Sequence, residues 1–336
     1  MLRKTALLCL GTLVACLTAC GDAEPAAGDG PVRLVVAQGS TNFTYSSIYV
    51  AQGKGFFADE GLEIDLQTIG GAPTILNGVF GGNIDIGLPG TSGAVTAAGQ
   101  GRPVKIIGNL SVGASTSIVF GSDFARAKGI TESSSDEDKI EALADARIAS
   151  SIAGSTTTSM LTYFLKSRGV DPSGPQILPF NDQGALLAAV RSGSADALCF
   201  GPSVAQKAVA DGFAVPGLSL AKAPELADVS WTSIVVSSSW LEENAETARK
   251  FVRAVSRALE LISERPDEAK PLVREELPDL TDPVFDGAWA EELATLPATP
   301  EVREKNISSL VPVLNETDSL PDPPRFEDLV SNDYLP

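Results

Sequence analysis

Three short stretches of the chain set glycine or small residues beside hydroxyl, amide and aromatic side chains: Ser40, Thr41, Asn42 and Tyr45; Gly90, Thr91 and Ser92; Gly154, Ser155 and Thr156. Each follows an apolar run and precedes a run with helical spacing. Hydroxyls next to the bare amides of a helix amino terminus, at the positive end of its dipole, can hold an oxyanion without any basic residue. Capping of the same helices is the competing role, and it accounts for Ser155, for Ser92 or Thr91, and for one or two of the hydroxyls after Gly39. Capping does not account for Phe43 and Tyr45. Trp231, in a strand-like run near a second crossing between lobes, could wall the same cleft.

The chemistry that is missing narrows the reading. The chain has no histidine, which removes Ser-His-Asp and Cys-His catalysis, ordinary zinc hydrolase sites and histidine acid-base work. It has no GxxxxGK[ST] phosphate loop and no CxxC pair. The carboxylate pairs Asp59 with Glu60 and Glu275 with Glu276 fall in predicted surface turns. No catalytic residue, metal site or cofactor is expected. With 43 acidic against 25 basic residues and a formal charge of −18, nucleic-acid binding is not expected either, because phosphate demands clustered Lys and Arg. We read the acidity as solvated outer faces.

Elements that must position these residues can be read from spacing. At 336 residues with 43% hydrophobic content, the chain exceeds a usual single core and implies two lobes. Val32–Ala37 is a predicted strand, and so is the run after Gly61, where Leu62, Ile64 and Leu66 face one side and Glu63, Asp65 and Gln67 the other. A helix between them makes a parallel pair with a right-handed crossover. Ile75, Leu76, Val79 and Phe80 form a buried helical stripe, as do Met160, Leu161, Phe164 and Leu165, then Leu186, Leu187 and Val190, and later Phe251, Val255, Ala258, Leu259 and Ile262. Lys105–Val112 is the fourth strand of the first lobe, and the chain crosses through Ser111–Ser117 into a second. The first lobe is expected at 32–112 plus 228–318 and the second at 113–227. Residues 122–141 read as a polar surface loop, and 319–336 as a proline-rich tail lying on the surface.

The amino terminus carries an address. Arg3 and Lys4 precede an apolar run, Thr5–Leu17, too short for a comfortable membrane span, and it ends in Leu17, Thr18, Ala19 and Cys20. That ending resembles the lipobox of bacterial lipoproteins, implying a signal peptide at 1–19, a diacylglycerol on the Cys20 thiol and a flexible tether at 20–31. A plain secretory signal with Cys20 merely near the cut is the alternative. Cys9 and Cys16 lie in the signal region, so Cys199 is left without a partner and no structural disulfide is expected.

KGFFADEGLEIDL, followed by a glycine pair, a helix and GNIDIGLPG, resembles the amino-terminal lobe of ABC-transporter substrate-binding proteins of the nitrate, sulfonate, taurine and bicarbonate group. The pyrimidine-precursor proteins of thiamine synthesis are similar to that group. The resemblance implies a periplasmic-binding-protein-like type II fold: two α/β lobes with a ligand cleft between them. In that family a glycine, serine, threonine turn matching Gly154, Ser155 and Thr156 touches the ligand. Phe200 stands where family members place an aromatic or acidic residue before a helix, so it is a candidate stacking surface as well as a candidate core residue. The implied function is an extracytoplasmic, lipid-anchored monomer that hands a small ligand, a sulfonate-like anion for preference, to an ABC permease and its ATPase. An enzyme of thiamine-pyrimidine or related cofactor synthesis and an extracellular sensory domain are the alternatives. Those pyrimidine synthases consume a histidine, which this chain cannot supply.

Overall fold

The structure is a computed structural model and describes residues 30–152, 155–171, 173–316, 320 and 322–336. Cys20, the expected signal peptide, most of the expected tether and Gly154 lie outside the described residues. The chain opens with β1 (Val32–Gln38), α1 (Ser46–Gly53), α2 (Phe56–Asp59) and β2 (Leu62–Thr68). It continues through α3 (Ala72–Phe80), β3 (Ile86–Leu88), α4 (Thr91–Gly99) and β4 (Val104–Val112). After a crossing come β5 (Ser117–Gly121), α5 (Ser122–Lys128), α6 (Asp136–Leu143), β6 (Arg147–Ser150) and α7 (Thr156–Ser167). β7 (Gln176–Pro179), α8 (Gln183–Arg191), β8 (Ala197–Phe200), α9 (Pro202–Ala210) and β9 (Ala214–Ser219) complete this part. A second crossing leads to β10 (Ser230–Ser237), α10 (Ser238–Glu243), α11 (Ala245–Glu264), α12 (Pro266–Glu276) and α13 (Asp282–Glu292). The short helices α14 (Glu304–Ser308), α15 (Leu310–Asn315) and α16 (Phe326–Leu329) close the chain.

Among the described residues ten strands form two five-stranded sheets, in the orders β2-β1-β3-β10-β4 and β7-β6-β8-β5-β9. In each sheet a strand that follows a crossing runs antiparallel to its neighbours: β10 against β3 and β4, and β5 against β8 and β9. The β1–β2 pair is parallel, in register from Val32 with Leu62 to Gln38 with Thr68, as the strand, helix, strand order requires. Leu62 is buried, and Ile64 and Leu66 pack on the same core cluster. The two crossings run side by side, joined by the Gly113 amide on the Val229 carbonyl (2.7 Å) and the Leu220 amide on the Thr116 carbonyl (2.9 Å). Gly113 turns there with φ +90°, a conformation that costs glycine little.

Packing follows the helical stripes. Met160, Leu161, Phe164 and Leu165 are buried, as are Phe251, Val255, Ala258, Leu259 and Ile262 on α11. One core cluster joins Leu76, Val104 and Ile106 of the first sheet's layer to Ile118, Phe120, Ile148 and Phe164 of the second. Close approach is marked at Gly87 on β3, where a Cβ would lie 2.7 Å from Ile75 Cγ2 and 2.9 Å from Val79 Cγ2. Only glycine lets α3 settle that near the strand.

Two expectations are corrected. Residues 122–141 are not a loop: they carry α5 and α6. Ser135 caps α6 by accepting from the Asp138 amide (3.1 Å), and Asp136, Glu137 and Asp138 lie in its first turn, where negative charge suits the dipole. The run of acids that reads as solvated loop is thus the signature of a helix start. The carboxyl-terminal tail does more than lie on the surface. Leu329 and Val330 are buried, and Val330 bridges Ile106 of the edge strand β4 in parallel, with the Ser331 amide on the Ile106 carbonyl (3.0 Å). Covering an exposed strand edge is a standard protection against pairing with other chains.

Candidate functional site

α4 opens at the end of β3 in the first sheet, and α7 opens at the end of β6 in the second. Their first turns meet: Ser92 Oγ and Thr156 Oγ1 are 2.7 Å apart, and a Cβ on Gly90 would lie 3.7 Å from Thr156 Oγ1. Beside this contact lies a pocket of about 740 Å³ whose lining includes Ser92, Ser155 and Thr156. Ser155 also caps α7, accepting from the Thr158 amide at 3.2 Å, so capping and pocket lining coincide in one residue. Asn77, Thr96, Gln100 and Ser159 add polar groups, while Leu76, Met160 and Val313 supply apolar wall. Two helix amino termini and several hydroxyls facing one cavity can bind a small polar or anionic group.

The other predicted residues have different surroundings. Thr91 is fully buried, with its hydroxyl 2.8 Å from Ser230 Oγ and 2.6 Å from Ser233 Oγ. Ser230 in turn donates to Asn109 Oδ1 (2.5 Å). This network ties α4 to β10 and β4 and leaves Thr91 nothing for a ligand. Tyr45 is likewise built into the frame: its hydroxyl donates to the Leu88 carbonyl (3.3 Å) and accepts from the Gly39 amide (3.2 Å). Burial pushes that phenol above its ordinary pKa. Phe43 packs against Phe285 with ring centroids 5.1 Å apart and the planes tilted by 50°. Asn42 accepts from the Thr44 amide (2.9 Å) and donates to Ser40 Oγ (2.8 Å), with Ser40 and Thr41 exposed beside it. Phe200 and Trp231 are half-buried, packed on separate core clusters. Gly90, Ser92, Ser155 and Thr156 are therefore brought together, and Ser40, Thr41, Asn42, Tyr45, Phe200 and Trp231 do not line this pocket. Cys199 is buried on β8, where burial pushes its thiol up; it packs as a small hydrophobe.

Two contributors escaped the sequence. Arg102, just past α4, lines the pocket with its guanidinium 4.2 Å over the Phe80 ring. Val313 and Leu314 of α15 form wall from a part of the chain more than two hundred residues beyond Arg102 in sequence. The GRP turn before β4 signals a helix stop, and nothing in it signals a cleft.

At the first crossing, a buried carboxylate ties the chain in place. Glu292 accepts from Ser115 Oγ (2.6 Å), Thr295 Oγ1 (3.0 Å) and Thr44 Oγ1 (3.3 Å). It thereby joins the loop after β1 to the first crossing and to α13. Its neighbour Glu291 accepts from Ser117 and Gln206. Burial raises the Glu292 pKa, only partly offset by the three hydroxyls. A carboxyl raised in the fold contributes stability that is fully present below the ordinary carboxylate range and is lost as pH rises through the raised value. Glu292→Gln, which stays neutral, should match the parent at about pH 4 and exceed its melting midpoint by on the order of a few degrees at neutral pH. Thermal melts of both proteins across that range test this; a gap that does not change with pH would show that Glu292 does not titrate as inferred.

Among the described residues no helix is long and apolar enough to cross a membrane, and no group of His, Cys, Asp and Glu could hold a metal ion. The chain is similar to a Bacillus subtilis (strain 168) protein named "Putative binding protein YtlA", 25% identical over 284 residues that span 82% of this chain and 78% of the other. Its fold matches the periplasmic aliphatic sulphonate binding protein SsuA from Escherichia coli with a TM-score of 0.68, at 15% identity over 88% of this chain and 95% of that one. It also matches the alkanesulfonate-binding protein SsuA from Xanthomonas axonopodis pv. citri bound to MOPS, with a TM-score of 0.69, at 16% identity over 90% of this chain and 99% of that one. Both likenesses bear out the two-lobed, periplasmic-binding-protein-like architecture expected from the sequence. The family model described as NMT1/THI5 like matches residues 42–269, more than half of the chain and including both helix turns that face the pocket, so the chain belongs to the NMT1/THI5-like family.

Proposed function

We propose that this protein is an extracytoplasmic solute receptor that binds a small organic anion between its two sheets and delivers it to an ABC importer. The observation that carries the reading is the meeting of the α4 and α7 amino termini, one from each sheet, at a single pocket, with Ser92 and Thr156 in hydrogen-bond contact. A ligand held by both turns would bind the closed arrangement of the lobes better than an open one, and that difference is what shifts their populations. The sulfonate preference has the support of the names of the two SsuA proteins and of hydroxyls and bare amides suited to an oxyanion. The lipid anchor is inferred from Leu17, Thr18, Ala19 and Cys20. We assign no catalytic step.

The test is thermal unfolding and small-angle scattering of residues 30–336 with alkanesulfonates, taurine, nitrate, aromatic acids and thiamine pyrimidines. A ligand at a hundred times its dissociation constant adds about 2.7 kcal/mol, a shift of a few degrees, and should make the protein more compact. A folded protein that is neither stabilised nor compacted by any of them would overturn the reading. In the same expression host, Cys20→Ala should move the full chain out of the membrane fraction; persistence there would exclude the thioether anchor.

A further inference from the structure

The pocket runs beside α4, and both ends of that helix bring polar groups to it. Ser92, Ser155 and Thr156 stand at one end, at the start of α4, and Arg102 stands just beyond the other end of the same helix. Nine helical residues span roughly 13 Å at 1.5 Å each. Between the ends the wall is mixed but mostly apolar: Leu76, Ala97, Met160 and Val313 stand among Asn77, Thr96, Gln100 and Ser159. Val313 comes from α15, which packs on α7 and lies outside the stretch matched by the family model. This wall therefore belongs to the chain's own carboxyl-terminal segment.

Arg102 differs from most arginines of this acidic molecule. Arg33, Arg126, Arg147, Arg168, Arg191 and the arginines from 249 to 274, with Arg325, each hold a carboxylate. Among the described residues Arg102 and Arg303 form no ion pair, and the Arg102 guanidinium lies over the Phe80 ring, 4.2 Å from its centroid. Stacking occupies the face of a guanidinium and leaves its in-plane N–H donors for an oxyanion, in a bidentate fork where geometry allows.

We infer that the slot takes an elongated organic anion with an apolar body and two anionic ends, one at the α4 and α7 turns and the other on Arg102. The inference rests on the binding reading above and names the ligand class for that site. Arg102 sets the preference for the second anionic group, and Phe80 holds the guanidinium in place. Leu76, Ala97, Met160 and Val313 give a hydrocarbon middle apolar surface to bury against.

The test compares octanesulfonate with the corresponding α,ω-octanedisulfonate by calorimetry on residues 30–336 and on Arg102→Gln, Arg102→Lys and Arg126→Gln. In the parent the disulfonate should bind at least roughly tenfold tighter than the monosulfonate, the value of a hydrogen bond to a charged group. Arg102→Gln should bring that ratio close to one, Arg102→Lys should restore part of it, and Arg126→Gln, altered at a surface pair with Asp123, should keep the parent ratio. Arg102 is exposed, so a melting midpoint near the parent's is expected and is checked first. A ratio near one in the parent, or a parent ratio retained in Arg102→Gln, overturns the inference and leaves the receptor reading standing. If neither sulfonate binds, the inference falls, and the receptor reading is decided separately by the broader ligand panel.

Discussion

Ser155→Asp should lower the affinity for an anionic ligand by at least about a hundredfold while leaving the melting midpoint of the unliganded protein within roughly a degree of the parent's. The two halves of this outcome have separate causes. Aspartate is as good a helix cap as serine, and its carboxylate can accept from the Thr158 amide as Ser155 Oγ does at 3.2 Å. Negative charge at that place also suits the α7 dipole, so the fold loses only the hydrogen bond that Ser155 Oγ donates to Thr158 Oγ1 (3.1 Å). A second negative charge about 4 Å away would cost roughly 4 kcal/mol at an effective dielectric of 20, and solvent in a partly open pocket reduces this to the hundredfold stated. Calorimetry with whichever anion the ligand panel identifies measures the loss. Unchanged affinity would mean that no anionic group rests at the α7 turn, and tighter binding of a cation would reverse the assigned charge of the ligand.

The fold was legible wherever a single stretch carried its own signal. Leu62, Ile64 and Leu66 announce one face of β2 by alternation, and Phe251, Val255, Ala258 and Leu259 announce the inner face of α11 by helical spacing. The starts of α4 and α7 were legible for the same reason: a glycine and two hydroxyls after a short apolar strand specify a strand-to-helix turn locally. Partnership was not legible. Tyr45 stands in a loop at the open edge of the sheet, as a ligand residue would, and only the folded chain brings the Leu88 carbonyl to its hydroxyl. Thr91 and Ser92 are adjacent and alike in sequence, yet Thr91 turns into the buried Ser230, Ser233 and Asn109 network while Ser92 faces Thr156. A helix turns by about 100° per residue, so neighbours at its start point to different surroundings.

The carboxyl-terminal third shows the same limit at longer range. Prolines near residue 323 imply a chain that cannot continue a helix, which is true, but they carry no information about where Val330 lands. Its pairing with Ile106 depends on a contact across more than half the chain, and the placement of α15 against α7 on contacts across more than a third of it. Those contacts decide one wall of the pocket. The portion of the sequence least informative about family is thus the portion that shapes the site beyond the shared helix turns.

Phe251→Ala should destabilise the protein by about 3–5 kcal/mol, the usual cost of truncating a fully buried aromatic. Phe251 has no exposed surface, and its ring stacks on Phe57 with centroids 5.1 Å apart. Phe57 is fixed in turn by α2, which leans on α11, so the cavity left by alanine is bounded by two packed helices and can collapse only partly. Natural domains are stable by on the order of 5–15 kcal/mol, so the variant loses a large share of the total and its midpoint should fall by on the order of ten degrees. Glu260→Ala, on the exposed face of the same helix, should change stability by no more than about 0.5 kcal/mol. The core cluster that runs from Leu76 and Val104 to Ile118 and Phe164 joins the layers of both sheets, so the loss in the first sheet's core should lower one shared transition. Circular dichroism at far-ultraviolet and near-ultraviolet wavelengths measures both quantities. A loss below about 1 kcal/mol would mean that α11 is not the buried support of the first sheet, and a melt that splits into two steps would show the two sheets unfolding independently.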